Sequence, residues 1–171
     1  MDGTDTLFTI GHSNHAVESF IATLNQYRIN ILVDVRSWPY SQWAHQFNRE
    51  ILKHDLEEAG VEYIHMGDVL GGLPADRSFY IPGQERPDYR RMANTSIYQA
   101  GIQKLLSLAQ NQTIAVMCSE GDHRHCHRHL LITQTLLGRT VRVLHIQPDG
   151  RTVGGELAPQ QLSLFGREEK P

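Results

Sequence analysis

Cysteine is nearly absent. Cys118 and Cys126 are the two in 171 residues, too few for the disulfide framework of a small secreted scaffold. No apolar run approaches the roughly 20 residues of a membrane span; the apolar stretches, such as Ile31 to Val33, are short. Met1-Asp2-Gly3-Thr4-Asp5 carries no basic group and no apolar core, so it does not read as a signal peptide. A reducing cytoplasm is the expected setting, with no membrane association. Positive charge is not in excess either. Sixteen Lys and Arg against 19 Asp and Glu give a net charge of −3, which excludes a polycation that coats nucleic acid by charge alone. Internal repeats are missing. With 40% hydrophobic and 20% charged residues, the chain has the composition of one ordinary domain that buries a core without staples. What is plentiful is histidine: ten in all, five of them between His123 and His145.

Apolar runs alternate with helical patterns along the chain. Leu7 to Ile10, Ile31 to Val35, Val61 to His65, Thr113 to Met117 and Val141 to His145 read as five strands. Helical spacing recurs at Val17, Phe20, Ile21 and Leu24, and at Ile51, Leu52 and Leu56 behind Asn48 as a cap. It recurs again from Ile97 to Ala109, and at Leu130, Leu131, Thr135 and Leu136 in a helix spanning 126–137. Gly60 and Gly138 stand where helices stop. The expected fold is α/β, three-layered, with a mostly parallel five-stranded sheet and helices on both faces, forming a single domain over 1–150. Residues 67–94, rich in Gly, Pro, Asp and Arg, read as one long loop, either a site-forming lid or a surface excursion. Residues 151–171 read as a flexible tail rather than a sixth element.

In such sheets ligands bind beyond the carboxyl ends of the strands, and there the polar residues gather. Gly11-His12-Ser13 follows the first strand, Asp34-Val35-Arg36 ends the second, His65 the third, Cys118-Ser119-Glu120 the fourth and His145 the fifth. Cys118 is either a thiolate facing a helix N-terminus, which would also bind anions, or an inert buried strand-end thiol. Cys118 to Arg124 has the Cys-x5-Arg spacing of cysteine phosphatase loops, although Glu120 and Asp122 would repel an anion there. Glu120 and Asp34 are the candidate general bases, and His12 and His145 can act as acid, base or ligand. Asp34 and Arg36 share a strand face, as a catalytic pair or as a structural ion pair. Arg36, Arg124, Cys126, His127 and Arg128 are the candidate substrate or phosphate contacts. The run from His123 to His129, with Cys118, either holds zinc or iron or is a solvated helix start. It meets no standard spacing, though His125 and His129 lie four apart, so a divalent metal is left open.

These residues carry a resemblance. Thr9-Ile10-Gly11-His12-Ser13, Asp34-Val35-Arg36, Pro39, Ser41, Leu70-Gly71-Gly72, Met117-Cys118-Ser119-Glu120, Cys126-His127-Arg128 and His145-Ile146 together resemble the bacterial domain-of-unknown-function family 488, over residues 7 to about 150. The resemblance implies an α/β domain with His12, Asp34, Arg36, Cys118, Glu120, Cys126, His127 and Arg128 as signature residues, and no established activity. It also implies no fixed Arg at position 124, which weakens the phosphatase analogy.

Near the C-terminus, Gln161-Leu162-Ser163-Leu164-Phe165 is similar to the pentapeptide by which bacterial replication and repair proteins dock on the β sliding clamp. Leu162, Leu164 and Phe165 supply apolar anchors and Gln161 a polar one; an apolar strap folding back on the domain is the plain alternative. Two classes of function follow. One is a repair- or replication-linked enzyme acting on nucleic acid or a nucleotide-like phosphate compound, a cysteine-dependent transferase or hydrolase. The other is a clamp-tethered binding module without turnover; a metal-dependent hydrolase using the histidines is a third variant. Arg86, Arg90 and Arg91 could form a local basic patch for nucleic acid.

Overall fold

Residues 6–159 are described in the computed structural model. The five expected runs become strands β1 (Thr6–Gly11), β2 (Ile31–Asp34), β3 (Glu62–His65), β4 (Ile114–Cys118) and β5 (Arg142–Ile146). They lie side by side, all parallel, in the order β3-β2-β4-β1-β5. A sixth strand, β6 (Thr152–Gly154), pairs antiparallel with β5. The sheet therefore has six strands where the sequence reads five, and its last strand falls inside the stretch read as tail. Three residues, two of them exposed, are too few to leave a periodic signal. Gln161 to Phe165 lies outside the described residues.

Every residue of β2 and β4 is buried, which explains why these central strands read as unbroken apolar runs: both faces are covered. Alternation then sends neighbouring side chains to opposite layers. Leu32, Ala115 and Met117 face α1 (Val17–Gln26) and α2 (Arg49–Glu58), packing with Phe20, Leu24, Leu52 and Leu56. Ile31, Val33, Ile114, Val116 and Cys118 face the other layer, with Tyr98, Ile102 and Leu105 of α5 (Ser96–Ala109) and Leu131, Ile132 and Leu136. Leu24 and Leu32 have no solvent exposure, so truncating either to Ala costs about 2–5 kcal/mol.

The connections differ from their expected forms in three places. Asn48 precedes α2, yet its side chain does not cap the helix; Oδ1 instead accepts from the Ser41 amide at 2.7 Å, bracing the loop before it. Segment 67–94 is not one loop. It holds α3 (Gly67–Leu70), a 3-10 turn (Arg77–Phe79) and α4 (Tyr89–Ala93), whose cap Asp88 accepts from the Arg90 and Arg91 amides. Finally, no regular α-helix spans 126–137. A 3-10 turn (His123–His125) leads to a π-helix (Arg128–Thr133), and only Gln134–Leu137, α6, is α-helical. Spacing could not reveal this, because one extra residue per turn leaves Leu131, Ile132 and Leu136 on the core side. Among the described residues, no helix is long and apolar enough to cross a membrane.

Candidate functional site

α1 and α2 cover one face and the π-helix with α5 the other, so the chain leaves β1 and β2 toward one layer and β4 toward the opposite one. The crevice between such diverging connections is where parallel sheets bind ligands. A pocket of about 440 Å³ opens there, lined by His12, Arg36, Cys118, Glu120, Cys126 and His127. Trp38, Tyr40, Leu73 and Tyr89 also line it.

Cys118 ends β4 on the same face as Ile114 and Val116, which turns its thiol toward the layer that supplies Cys126 and His127. The two thiols and a His127 nitrogen lie within 4.8 Å of one another; Nδ1 is 3.6 Å from Cys118 Sγ and 3.8 Å from Cys126 Sγ. The other ring nitrogen, Nε2, is 3.1 Å from the Val35 carbonyl. A carbonyl only accepts, so Nε2 carries the proton and the lone pair of the neutral ring sits on Nδ1, facing both sulfurs. This set can do two things. It can hold one proton between two thiols with the imidazole ready to take it, or it can ligate a soft divalent ion through two thiolates and an imidazole.

The two thiols are unequal. Cys126 S–H donating to Cys118, then His127 once its Nδ1 has taken the thiol proton, and the Ser119 amide hold Cys118 well below the ordinary thiol range despite its burial. Cys126 is pushed up by the same contact, by burial and by the neighbouring negative charge. The thiolate therefore belongs on Cys118, the sulfur at the strand end.

Two glycines make the assembly possible. A Cβ on Gly11 would meet the Glu120 carbonyl oxygen at 1.8 Å, so the loop after Cys118 lies directly on β1. A Cβ on Gly72 would meet His127 Cγ at 2.5 Å, so the chain after α3 packs flat on the imidazole.

The other residues singled out in the sequence take varied positions. Asp34 points into the opposite layer from Cys118. There it binds Arg36 through Nε at 2.9 Å and Nη2 at 2.7 Å, and accepts from the Tyr63 hydroxyl at 2.6 Å. Arg36 also donates from Nη2 to the Phe47 carbonyl and from Nη1 to His12 Nε2. His12 donates from Nδ1 to the Ser13 carbonyl at 2.7 Å and stacks on Phe47 at 4.4 Å. Burial first, then Arg36, lowers its pKa to about 4, against the Ser13 contact, which raises it. It is a neutral ring holding Arg36, with no nitrogen left over for proton transfer at neutral pH. Arg124 is exposed and bidentate on Asp122. Arg128 is fully buried and donates to Thr9 Oγ1 and to the carbonyls of Glu120 and Gly121. Glu120 is exposed at the pocket edge. Arg86 lies over Tyr89 and Arg91 over Phe79, on the segment that adjoins the pocket.

Sequence reasoning missed Tyr63, Tyr89 and the Val35 carbonyl, none of which carries a local signal, and it named Ser119 at the strand end without a role for its amide. It also missed Trp38 and Trp43, which did carry one: both tryptophans of the chain sit in one loop, and they are 72% and 89% exposed. His123, His129 and His145 come together as a separate buried group outside the pocket, whereas His125 stays at the surface beside Asp122.

No curated protein and no solved structure matches the chain. A family model does match, that of the domain of unknown function DUF488, over residues 16–134. The matched span carries β2, β4, both cysteines, Arg36, His127 and Arg128, most of the pocket, while β1 and His12 precede it. On that match over most of its length, the chain belongs to the DUF488 family.

Proposed function

We propose that this protein is a cysteine-dependent transferase or hydrolase in which Cys118 is the nucleophile. The observation that carries the reading is His127, whose tautomer is fixed by the Val35 carbonyl so that Nδ1 faces Cys118 and Cys126 at the floor of an open pocket. Cys118 thiolate attacks an electrophilic carbon or phosphorus of the substrate. The bond to the leaving group breaks, and that group departs with the proton held among Cys126 and His127. Water, giving up its proton to His127, then cleaves the bond to sulfur and restores the thiolate.

Trp38, Tyr40 and Tyr89 around the pocket suit a flat ring, since every nucleobase has a face on which aromatic side chains stack. The substrate class in this reading is nucleic acid or a nucleotide-like phosphate compound. Gln161-Leu162-Ser163-Leu164-Phe165 would hold the enzyme on the β sliding clamp, where such substrates arise. A test incubates the full-length protein with single-stranded and duplex oligonucleotides and with nucleotides, and reads products and protein mass. Conversion, or a mass adduct on the Cys118 peptide, is expected for the wild type and not for Cys118→Ser. Equal conversion by both would remove Cys118 from the chemistry.

A further inference from the structure

We propose that His123, His129 and His145 form a site for a divalent first-row transition ion of the zinc type, with a remaining position left for water or an anion. The site is separate from the thiol pocket and does not depend on the reading given for Cys118. Each histidine offers one ring nitrogen, and the three lie within 4.8 Å of one another. His129 Nδ1 is 3.2 Å from His145 Nε2, and the His123 and His145 rings stack at 4.0 Å. Imidazole nitrogens at about 2.0–2.1 Å from a tetrahedral ion stand roughly 3.4 Å apart, so one pair is already at ligand spacing and His123 needs only a small ring shift.

The surroundings are those of ligands rather than of a packed core. Thr9 Oγ1 lies 2.6 Å from His145 Nδ1 and accepts from Arg128 Nη1 at 2.8 Å. Its second lone pair can accept from His145 Nδ1–H, and in that tautomer the His145 Nε2 lone pair is aimed at His129 Nδ1. There either His129 Nδ1–H donates to it or, once that proton leaves, an ion takes its place between the two nitrogens. Gln147 Nε2 donates to His123 Nδ1 at 3.1 Å; for His123 Nε2 to ligate, that amide turns over so that its oxygen accepts from Nδ1–H. Thr9 already stands to His145 as second partners stand to metal-bound histidines.

His123 and His129 each keep a sliver of surface while His145 keeps none, which leaves a way in. His129 reaches the group from a π-helix, an uncommon form that recurs at functional sites. Three imidazoles without a carboxylate favour zinc, cobalt, nickel or copper over magnesium or calcium. Arg128, one hydroxyl away from His145, favours an anionic fourth ligand.

The experiment loads chelator-treated full-length protein with Co(II), removes excess by desalting, and reads bound metal and visible absorption. One equivalent with a tetrahedral spectrum lacking thiolate charge transfer is expected in the wild type. It should persist in Cys118→Ser/Cys126→Ser, which empties the other candidate cluster of sulfur. His123→Gln, at the edge of the group, should keep the fold and weaken retention at least about tenfold, as loss of a second partner alone costs about 10–100-fold. Thr9→Val should fall in that 10–100-fold range. No retained cobalt in the wild type would overturn the proposal. So would cobalt lost with the two cysteines, or cobalt held unchanged in His123→Gln.

Discussion

Asp34 and Arg36 are both out of water, and each is the other's main partner. Replacing Asp34 with Asn keeps the shape and removes the charge, leaving a buried guanidinium uncompensated and the Tyr63 hydroxyl with a weaker acceptor. Such a loss costs about 3–5 kcal/mol, and urea unfolding should read a drop of that size; less than about 1 kcal/mol would mean that Arg36 finds another partner. The pair was legible in the sequence as two residues on one strand face. Its role was not, because the deciding contacts come from Tyr63 and Phe47, distant in sequence. Gly72→Ala probes a different contact. Its Cβ would press on the His127 ring and turn Nδ1 away from the sulfurs, so alkylation of Cys118 at neutral pH should slow while the fold persists. Unchanged alkylation would mean that the ring moves without consequence for the thiol.

At the scale of elements, the strand ends were readable because apolar runs that stop at polar residues define the sheet edge. His12, Arg36 and Cys118 do meet around one pocket. The helix after Cys126 was not readable in detail: a π-helix and an α-helix bury nearly the same residues, yet they aim Arg128 and His129 differently. Gln134 ties this segment to the chain beyond β6. Its side-chain amide donates to the His129 and Glu156 carbonyls, and its oxygen accepts from the Ala158 amide. Gln134→Ala should cost about 1–3 kcal/mol, the penalty for leaving the buried His129 carbonyl without this partner. Hydrogen exchange should show residues 152–158 opening first, whereas uniform protection in the variant would show that β6 holds by its own pairing.

For the whole molecule, four neutral buried histidines set a pH limit. His12 and His123 sit at about 4 and His145 at about 2, each chiefly through burial, and His129 is lowered too. Unfolded, the same rings take up protons below about pH 6.5. The unfolded chain then binds more protons than the folded one, so stability is full above that pH and declines as pH falls toward 4. The loss by pH 5.5 is on the order of 1 kcal/mol per histidine, and the urea midpoint should fall accordingly; a midpoint flat from pH 7 to 5 would contradict the burial of the group. At the same scale belongs the pentapeptide Gln161 to Phe165. Full-length protein should bind a bacterial β clamp, and Leu164→Ala/Phe165→Ala should bind it at least about tenfold more weakly, since a few apolar anchors carry most of such an interaction. Equal binding by both would release the tail from this role.

Nucleophilic Cys118 must be a thiolate at neutral pH, its charge favoured by the Cys126 S–H, by His127 once Nδ1 holds the thiol proton, and by the Ser119 amide. Thiolate absorbance near 240 nm, titrated against pH in wild type, Cys118→Ser and Cys126→Ser, measures this directly. We expect one thiolate in the wild type well below the ordinary thiol value of about 8.5. It should be absent in Cys118→Ser and shifted upward in Cys126→Ser. Titration of both thiols at or above the ordinary value in the folded wild type would contradict the claim and leave Cys118 a buried strand-end thiol.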